Sequence, residues 1–155
     1  MRDTSTLGAA AAHIVCADIL LAGFGASLAA EGRRYDVIAD VDGRLIRIQV
    51  KATAKMQPRP SRPRTSPVYI FGTIRNRRPL SDGTQRIRRY SADEIDALAC
   101  VALDRREVAY FAVRGIGPTG INLYPPGTTP WIRNGREERR CIDQFPFARF
   151  VGEYR

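Results

Sequence analysis

Asp36, Gln49 and Lys51 bring a carboxylate, an amide and an ammonium group into one short stretch of the chain. The carboxylate, the amide carbonyl and the backbone carbonyl of Val50 are oxygen donors of the kind that a hard cation such as Mg²⁺ prefers. Lys51 can orient or deprotonate an attacking water and offset charge that develops on a phosphate. This chemistry requires a fold that places the three side chains together.

The sequence around these residues predicts a β-hairpin. Residues 35–41 and 44–51 both alternate between apolar and polar side chains, and Asp42-Gly43 between them is a strong signal for a two-residue turn. Such a turn fixes which residues face each other, because a slip of one residue moves every side chain to the opposite face. One face of the hairpin is then apolar and is expected to pack against a core.

Counting outward from the turn predicts the register of the candidate site. Asp36 lies opposite Gln49, with Cβ atoms about 4.5–5.5 Å apart, and Ile38 lies opposite Arg47. Lys51 is two residues beyond Gln49 and therefore points to the same face. A solvent-facing hairpin edge with ordinary polar side chains is equally compatible with this spacing.

The chain is strongly basic. Its 25 Lys and Arg residues against 16 Asp and Glu give a net charge of +9 at pH 7, which indicates an anionic partner. A Pro/Arg-rich stretch at about 55–67 predicts an exposed, extended loop, and the basic segment continues to Tyr90. Because guanidinium groups match phosphate oxygens, we expect nucleic-acid contacts here rather than a merely solvated linker. The predicted contacts are Arg59, Arg62, Arg64, Arg75, Arg77, Arg78, Arg86, Arg88 and Arg89.

The remaining patterns predict a single α/β domain over residues 1–155, with a sheet flanked by helices. Leu7–Ala22 favours a buried first helix, and a capping-box pattern that begins at Ser91 predicts a second helix through about Ala102. Further strands are predicted at residues 68–74, 86–90, 108–113 and 121–124.

Several classes of function are disfavoured. No uninterrupted apolar stretch reaches about 18 residues and no signal peptide is evident, so we expect a cytoplasmic protein without a membrane partner. The three cysteines contain no CxxC pair, which argues against a zinc site or a disulfide framework. Gly115–Gly120 fits GxGxxG, but no helix follows it, so we expect no nucleotide cofactor. His13, the only histidine, lies within an apolar helix, which argues against Ser–His–Asp catalysis.

Tyr35-Asp36 followed by Gln49-Val50-Lys51, behind an alanine-rich helix, resembles the PD-(D/E)XK nuclease superfamily. The likeness is to the group I intron homing-endonuclease branch, in which QxK replaces (D/E)xK, and it extends through residues 89–98 and 108–113. It implies a restriction-endonuclease-like mixed sheet and cleavage of DNA with Mg²⁺, or alternatively Mn²⁺, as cofactor. It further implies that Asp36 is the central metal ligand, that Gln49 stands at the second acidic position and that Lys51 is the catalytic lysine.

One part of the family pattern is missing. Such enzymes usually carry a glutamate on the first helix, where this chain has Ala9–Ala12 followed by His13. Glu31, on the loop before Tyr35, is one candidate for an auxiliary ligand. His13 is another, through a nitrogen that suits Mn²⁺ better than Mg²⁺.

The sequence therefore predicts a metal-dependent endonuclease that hydrolyses DNA. A homodimer or tetramer is expected, because cutting both strands requires two sites. The first alternative is a catalytically degenerate nuclease fold that acts as a DNA-binding or regulatory module, since the helix acid is missing. The second is a basic RNA-binding protein, although the predicted strands offer few aromatic residues on which RNA bases could stack.

Overall fold

The computed structural model describes residues 3–58, 66–79, 81–118, 120–128, 132–133, 136–137 and 140–154. In chain order they form α1 (Thr4–Leu21), β1 (Gly25–Leu28), β2 (Val37–Val41), β3 (Arg44–Thr53), β4 (Tyr69–Phe71), β5 (Ile74–Pro79), β6 (Gln85–Arg89), β7 (Ala97–Ala102), β8 (Glu107–Ala112), β9 (Ile121–Leu123), β10 (Ile132–Arg133), β11 (Arg136–Glu137) and α2 (Phe147–Tyr154). Short 3₁₀ turns lie at Val113–Gly115 and Ile142–Gln144.

The central feature is a five-stranded sheet with the strand order β1-β2-β3-β7-β8. Strand β3 runs parallel to β7, whereas the other neighbouring pairs are antiparallel. The pairs β4–β9 and β5–β6 lie outside this sheet. This arrangement confirms the predicted α/β class with a mixed sheet and flanking helices.

The predicted β2–β3 hairpin is confirmed, including its register. Ile38 pairs with Arg47, as counting from the turn requires. Asp42 and Gly43 both have positive φ angles, 54° and 85°, which a two-residue type I′ turn needs. The Gly43 N–H donates a 2.8 Å hydrogen bond to Asp40 Oδ1, which helps to hold the turn closed.

The first core lies between the helices and one face of the sheet. Val37 of β2 and Ile48 of β3 are completely buried and pack in one cluster with Val15 and Ile19 of α1 and Phe147 of α2. Side chains alternate along a strand, so the residues on either side of Ile48 point away from this core. That alternation leaves the opposite face of β3 for polar side chains.

The opposite face of the sheet carries a second core. Leu98 and Cys100 of β7 are completely buried and pack with Tyr69 and Phe71 of β4. Because these two aromatic rings are only 0% and 2% exposed, they do not form a surface on which RNA bases could stack. The second core instead supports the face from which Gln49 and Lys51 project.

The prediction of a helix from Ser91 to about Ala102 is wrong, because the structure has a single turn followed by a strand in this region. The Glu94 and Ile95 N–H groups donate to the Ser91 carbonyl at 3.0 and 3.1 Å, which closes one turn only. Ala97–Ala102 then form β7, in which every residue is buried. A strand buried on both faces loses its polar alternation, so a short apolar run after a cap-like turn has the same pattern as a buried helix.

Helix α1 is less buried than its sequence predicted. It buries only the stripe Ala11, Ala12, Val15 and Ile19, whereas Leu20 and Leu21 are 55% and 89% exposed. The 18 residues of α1 have a mean hydropathy of 1.5, so by length and composition alone the helix is long and apolar enough to cross a membrane. Its buried stripe packs on the sheet in the first core. The absence of a membrane partner stays a prediction.

Replacing Leu98 with alanine should lower the free energy of unfolding by about 2–4 kcal/mol, because it leaves a cavity in the second core. Urea denaturation measures this difference. Leu21→Ala is the matched control, since the exposed Leu21 side chain should contribute less than about 0.5 kcal/mol. Equal losses in the two variants would contradict the central position of β7.

Candidate active site

Asp36 enters the sheet immediately before β2. Its N–H donates to the Ile48 carbonyl of β3 at 2.9 Å, and its own carbonyl accepts a 2.9 Å bond from the Ala29 N–H. The Asp36 backbone is thus held on both sides, by β3 and by the loop of residues 29–36 that leads from β1. The main chain therefore fixes where the carboxylate projects.

Gln49 and Val50 both contact the Asp36 carboxylate. The Val50 N–H donates to Asp36 Oδ2 at 2.8 Å, and Gln49 Nε2 donates to the same oxygen in a short hydrogen bond. The structure therefore brings the side chains of Asp36 and Gln49 together, just beyond the last β2–β3 pair, Val37 with Ile48. In this arrangement the amide nitrogen of Gln49, rather than its carbonyl oxygen, faces the carboxylate.

The environment of Asp36 disfavours its ionised form. Burial raises the pKa of this carboxyl above its ordinary value, and this effect outweighs the Val50 N–H, the Lys51 charge and the Gln49 amide, each of which lowers the pKa. A cation bound at the carboxylate would act in the same direction as Lys51. A bound cation would therefore lower the pKa of the Asp36 carboxyl and favour its ionised form.

Lys51 lies on the same face of β3 as Gln49, at the margin of the second core. It pairs with Cys100 of β7, and its Nζ atom lies 5.0 Å from the centre of the Tyr90 ring. A cation at this distance from an aromatic face is attracted to it. Since Tyr90 directly follows β6, the lysine lies at the base of the basic β5–β6 hairpin.

The donor set fits a divalent ion that has one anionic protein ligand. Within the described parts of the chain, no three His, Cys, Asp or Glu side chains cluster as a metal site. Gln49 Nε2 lies 3.4 Å from the Val50 carbonyl oxygen as well as beside Asp36. A half-turn of the amide would exchange Nε2 for Oε1, which would then lie near Asp36 Oδ2 and the Val50 carbonyl oxygen. Waters and phosphate oxygens would supply the remaining ligands of a hard cation.

Glu31 and His13, the two predicted auxiliary ligands, are both exposed, and among the described residues neither forms a hydrogen bond with Asp36, Gln49 or Lys51. Glu31 is exposed on the loop between β1 and β2. His13 is exposed on α1, which packs against the face of the sheet opposite to Gln49 and Lys51. The sheet therefore separates His13 from the site, and the structure does not bring it to Asp36.

The predicted DNA-contacting arginines fall into two groups. One group lies on the β5–β6 hairpin, where Arg88 and Arg89 are exposed next to Tyr90. Arg75, Arg77, Arg78 and Arg86 also belong to these two strands. The other group, Arg59, Arg62 and Arg64, lies outside the described residues.

Two features near the site were not predicted from the sequence. Glu94 accepts hydrogen bonds from Arg34, two residues before Asp36, and from Arg88 of the basic hairpin. The second feature is the contact of Tyr90 with Lys51. In the sequence, Arg34 is visible only as a base before Tyr35-Asp36, and Glu94 only as the acid of a capping-box pattern. Neither pattern predicts a contact between residues so far apart in the chain.

Gln49→Glu should destabilise the metal-free protein at pH 7. The new carboxylate would lie against Asp36, and two like charges raise each other's pKa, so stability should return as the pH falls to about 4. Mg²⁺ should also restore it, because the ion binds the folded protein only. Thermal unfolding with and without Mg²⁺ measures both effects, with the exposed Gln57→Glu as control. Identical behaviour of the two variants would contradict the proximity of residues 36 and 49.

Asp36→Asn should raise the melting temperature of the metal-free protein at pH 7 but not near pH 4. A carboxyl with a raised pKa stabilises the fold most below the ordinary aspartate pKa of about 3.9, and this contribution is lost as the pH rises through the raised value. Neutral asparagine avoids that loss. Thermal unfolding in EDTA tests this, with the exposed Asp143→Asn as control. A variant that is less stable than wild type at pH 7 would show that burial does not dominate at Asp36.

Comparison with known proteins agrees with this geometry. Residues 2–123 match the family model described as PD-(D/E)XK endonuclease. A search of curated proteins finds no match. Among solved structures, the chain is similar to the bacterial homing endonuclease I-Ssp6803I, with a TM-score of 0.66 and 18% sequence identity over 97% of this chain and 93% of that chain. This structural likeness shows the fold, and the family match, which spans most of the sequence, shows that the chain belongs to the PD-(D/E)XK endonuclease family.

Proposed function

We propose that this chain is a metal-dependent endonuclease that hydrolyses phosphodiester bonds of DNA. The observation that carries the proposal is the convergence of Gln49 and Val50 on the Asp36 carboxylate, next to Lys51 on the same face of the sheet. Membership of the endonuclease family and the fold shared with a homing endonuclease support it.

In this proposal Asp36, the Gln49 side-chain oxygen and the Val50 carbonyl hold the divalent ion, Mg²⁺ or Mn²⁺. Such an ion supplies Lewis-acid stabilisation of negative charge on the phosphate oxygens. The Lys51 ammonium donates hydrogen bonds to the phosphate or to the attacking water and offsets the charge of the pentavalent transition state. The Tyr90 ring, in contact with Lys51, restricts where that ammonium group lies.

The basic hairpin β5–β6 is the proposed contact surface for the DNA backbone. Arg88 and Arg89 are exposed on it, and guanidinium groups bind phosphate oxygens whatever the base sequence. Its last strand leads directly to Tyr90 and the site, so DNA held by the hairpin would lie near Lys51. Cleavage of both strands requires two such sites, and we therefore propose that the enzyme acts as a homodimer or tetramer.

A catalytically degenerate DNA-binding module is the second candidate. It is favoured by the orientation of Gln49, whose amide nitrogen satisfies the Asp36 carboxylate without a metal ion. Asp36 is also the only carboxylate in the Asp36–Gln49–Lys51 cluster, and burial raises its pKa. Such a module would bind DNA through the same hairpin and leave it intact.

Asp36→Ala and Lys51→Ala should each abolish cleavage while salt-dependent DNA binding is retained. The reason is that both side chains belong to the chemical site, whereas most of the positive charge lies elsewhere. Wild type and variants are incubated with supercoiled and branched DNA in Mg²⁺, Mn²⁺ or EDTA, and a gel shift is run on the same samples. Asp143→Ala, on an exposed turn, is the control for loss of an acidic residue.

Metal-dependent nicking that disappears in both variants supports the endonuclease. Cleavage at the wild-type rate in either variant would mean that the site is misassigned. Binding without cleavage in both metals would establish the degenerate module instead. Preference for RNA over DNA of the same length would favour neither of these two candidates.

A further inference from the structure

We propose that Arg34 and Arg88 form a clamp for one backbone phosphate of DNA, and that the Glu94 carboxylate occupies the place of that phosphate until DNA binds. The inference rests on the proposed function, because it assigns two residues that hold DNA beside the candidate active site. Arg34 lies outside the basic segment of residues 55–90, so the charge pattern of the sequence does not single it out.

Both guanidinium groups contact a single carboxylate oxygen. Arg34 Nη1 and Arg88 Nη2 donate to Glu94 Oε1, the second at 3.0 Å. The Glu94 side chain is 10% exposed, whereas those of Arg34 and Arg88 are 53% and 57% exposed. The carboxylate is therefore covered, while the two positive groups remain open to solvent and to an incoming anion.

The backbone fixes the position of Glu94. Its N–H donates to the Ser91 carbonyl at 3.0 Å, and the next residue, Ile95, is completely buried in the second core. A carboxylate on this anchored turn attracts one arginine from the β1–β2 loop and one from β6. Glu94 thus joins two elements that are far apart in the sequence.

The clamp lies close to the chemical residues. Arg34 is two residues before Asp36, and Arg88 is two residues before Tyr90, whose ring contacts Lys51. Two residues span at most about 7 Å of chain. Phosphates of one DNA strand are spaced by about 3.4 Å along the helix axis, so a clamped phosphate would lie within a few nucleotides of the reacting one.

A phosphate can replace the carboxylate between these arginines. The two exposed guanidinium groups carry positive charge that attracts a further anion. Both arginine side chains are more than half exposed, so solvent screens their attraction to Glu94 and lowers the cost of the exchange. Guanidinium groups bind phosphate oxygens in the same planar, bidentate geometry that they use for carboxylates.

The test measures DNA binding in EDTA, so that it does not depend on cleavage. Affinity of the full chain for a fluorescent DNA duplex is measured over a series of salt concentrations. Arg34→Gln and Arg88→Gln should each weaken binding, and the double variant should weaken it by less than the product of the two single effects, because both residues hold one phosphate. The salt slope of the double variant should fall by about 0.9, the value of one phosphate contact. Arg106→Gln, on the exposed turn between β7 and β8, should leave the slope unchanged.

Glu94→Gln removes the competing carboxylate and should tighten binding about two- to fivefold, the size expected when ion pairs that are screened on the arginine side no longer compete with DNA. This gain should vanish in the Arg34→Gln/Arg88→Gln background. Asp93→Asn removes the same charge one residue away and should have the same small effect in both backgrounds. Thermal unfolding checks that each variant folds. If Glu94→Gln does not fold, the arginine variants alone test the clamp.

An unchanged slope in the double variant would overturn the clamp. A fall of about 1.8 with multiplicative single effects would also overturn it, because the two arginines would then hold separate phosphates. Failure of the wild type to bind DNA would overturn both the clamp and the proposed substrate. The expected slopes together with an absence of cleavage in Mg²⁺ and Mn²⁺ would support the clamp and overturn only the nuclease activity.

Discussion

The two-residue turn at Asp42-Gly43 is the constraint on which the candidate site depends. Its length fixes the pairing of β2 with β3, and this pairing places Asp36 beside Gln49. A loop longer by one residue would turn the polar side chains of one strand toward the helices. The positive φ angles at both turn residues show why Asp-Gly is suited to this position.

Strand β3 serves both cores at once. Ile48 points into the helix-covered core, while Gln49 and Lys51 project on the side of the second core. The packing that stabilises the domain thus also removes water from around Asp36, which explains the raised pKa of its carboxyl. A charge in such surroundings is favourable only beside a positive group, which the adjacent lysine supplies in part.

The features that could be predicted from the sequence are those that depend on residues close together along the chain. The hairpin and its register followed from one turn and a period-two pattern. The family followed from residues 35–36 and 49–51, together with the alanine-rich helix before them and the likeness over residues 89–98 and 108–113. Strand β7 was mistaken for a helix, because its parallel partner β3 is remote in sequence and its burial on both faces removes the alternation. The contact between Arg34 and Glu94 and the orientation of the Gln49 amide depend on tertiary hydrogen bonds, which no local pattern encodes.

The crossover between Thr53 and Ala97 has a consequence for how such a domain can diversify. The proposed chemical residues all lie within residues 36–51, at the β2–β3 hairpin, whereas the crossover carries ten of the 25 basic residues, between Lys55 and Arg89, with Asp82 as the only acid in that stretch of the sequence. Changes in the β5–β6 part of the crossover can therefore alter the proposed DNA contacts and leave the β2–β3 hairpin intact. Such changes are constrained at β4, where Tyr69 and Phe71 are buried in the second core, and toward the end of the crossover, where Tyr90 and Glu94 contact Lys51 and Arg34.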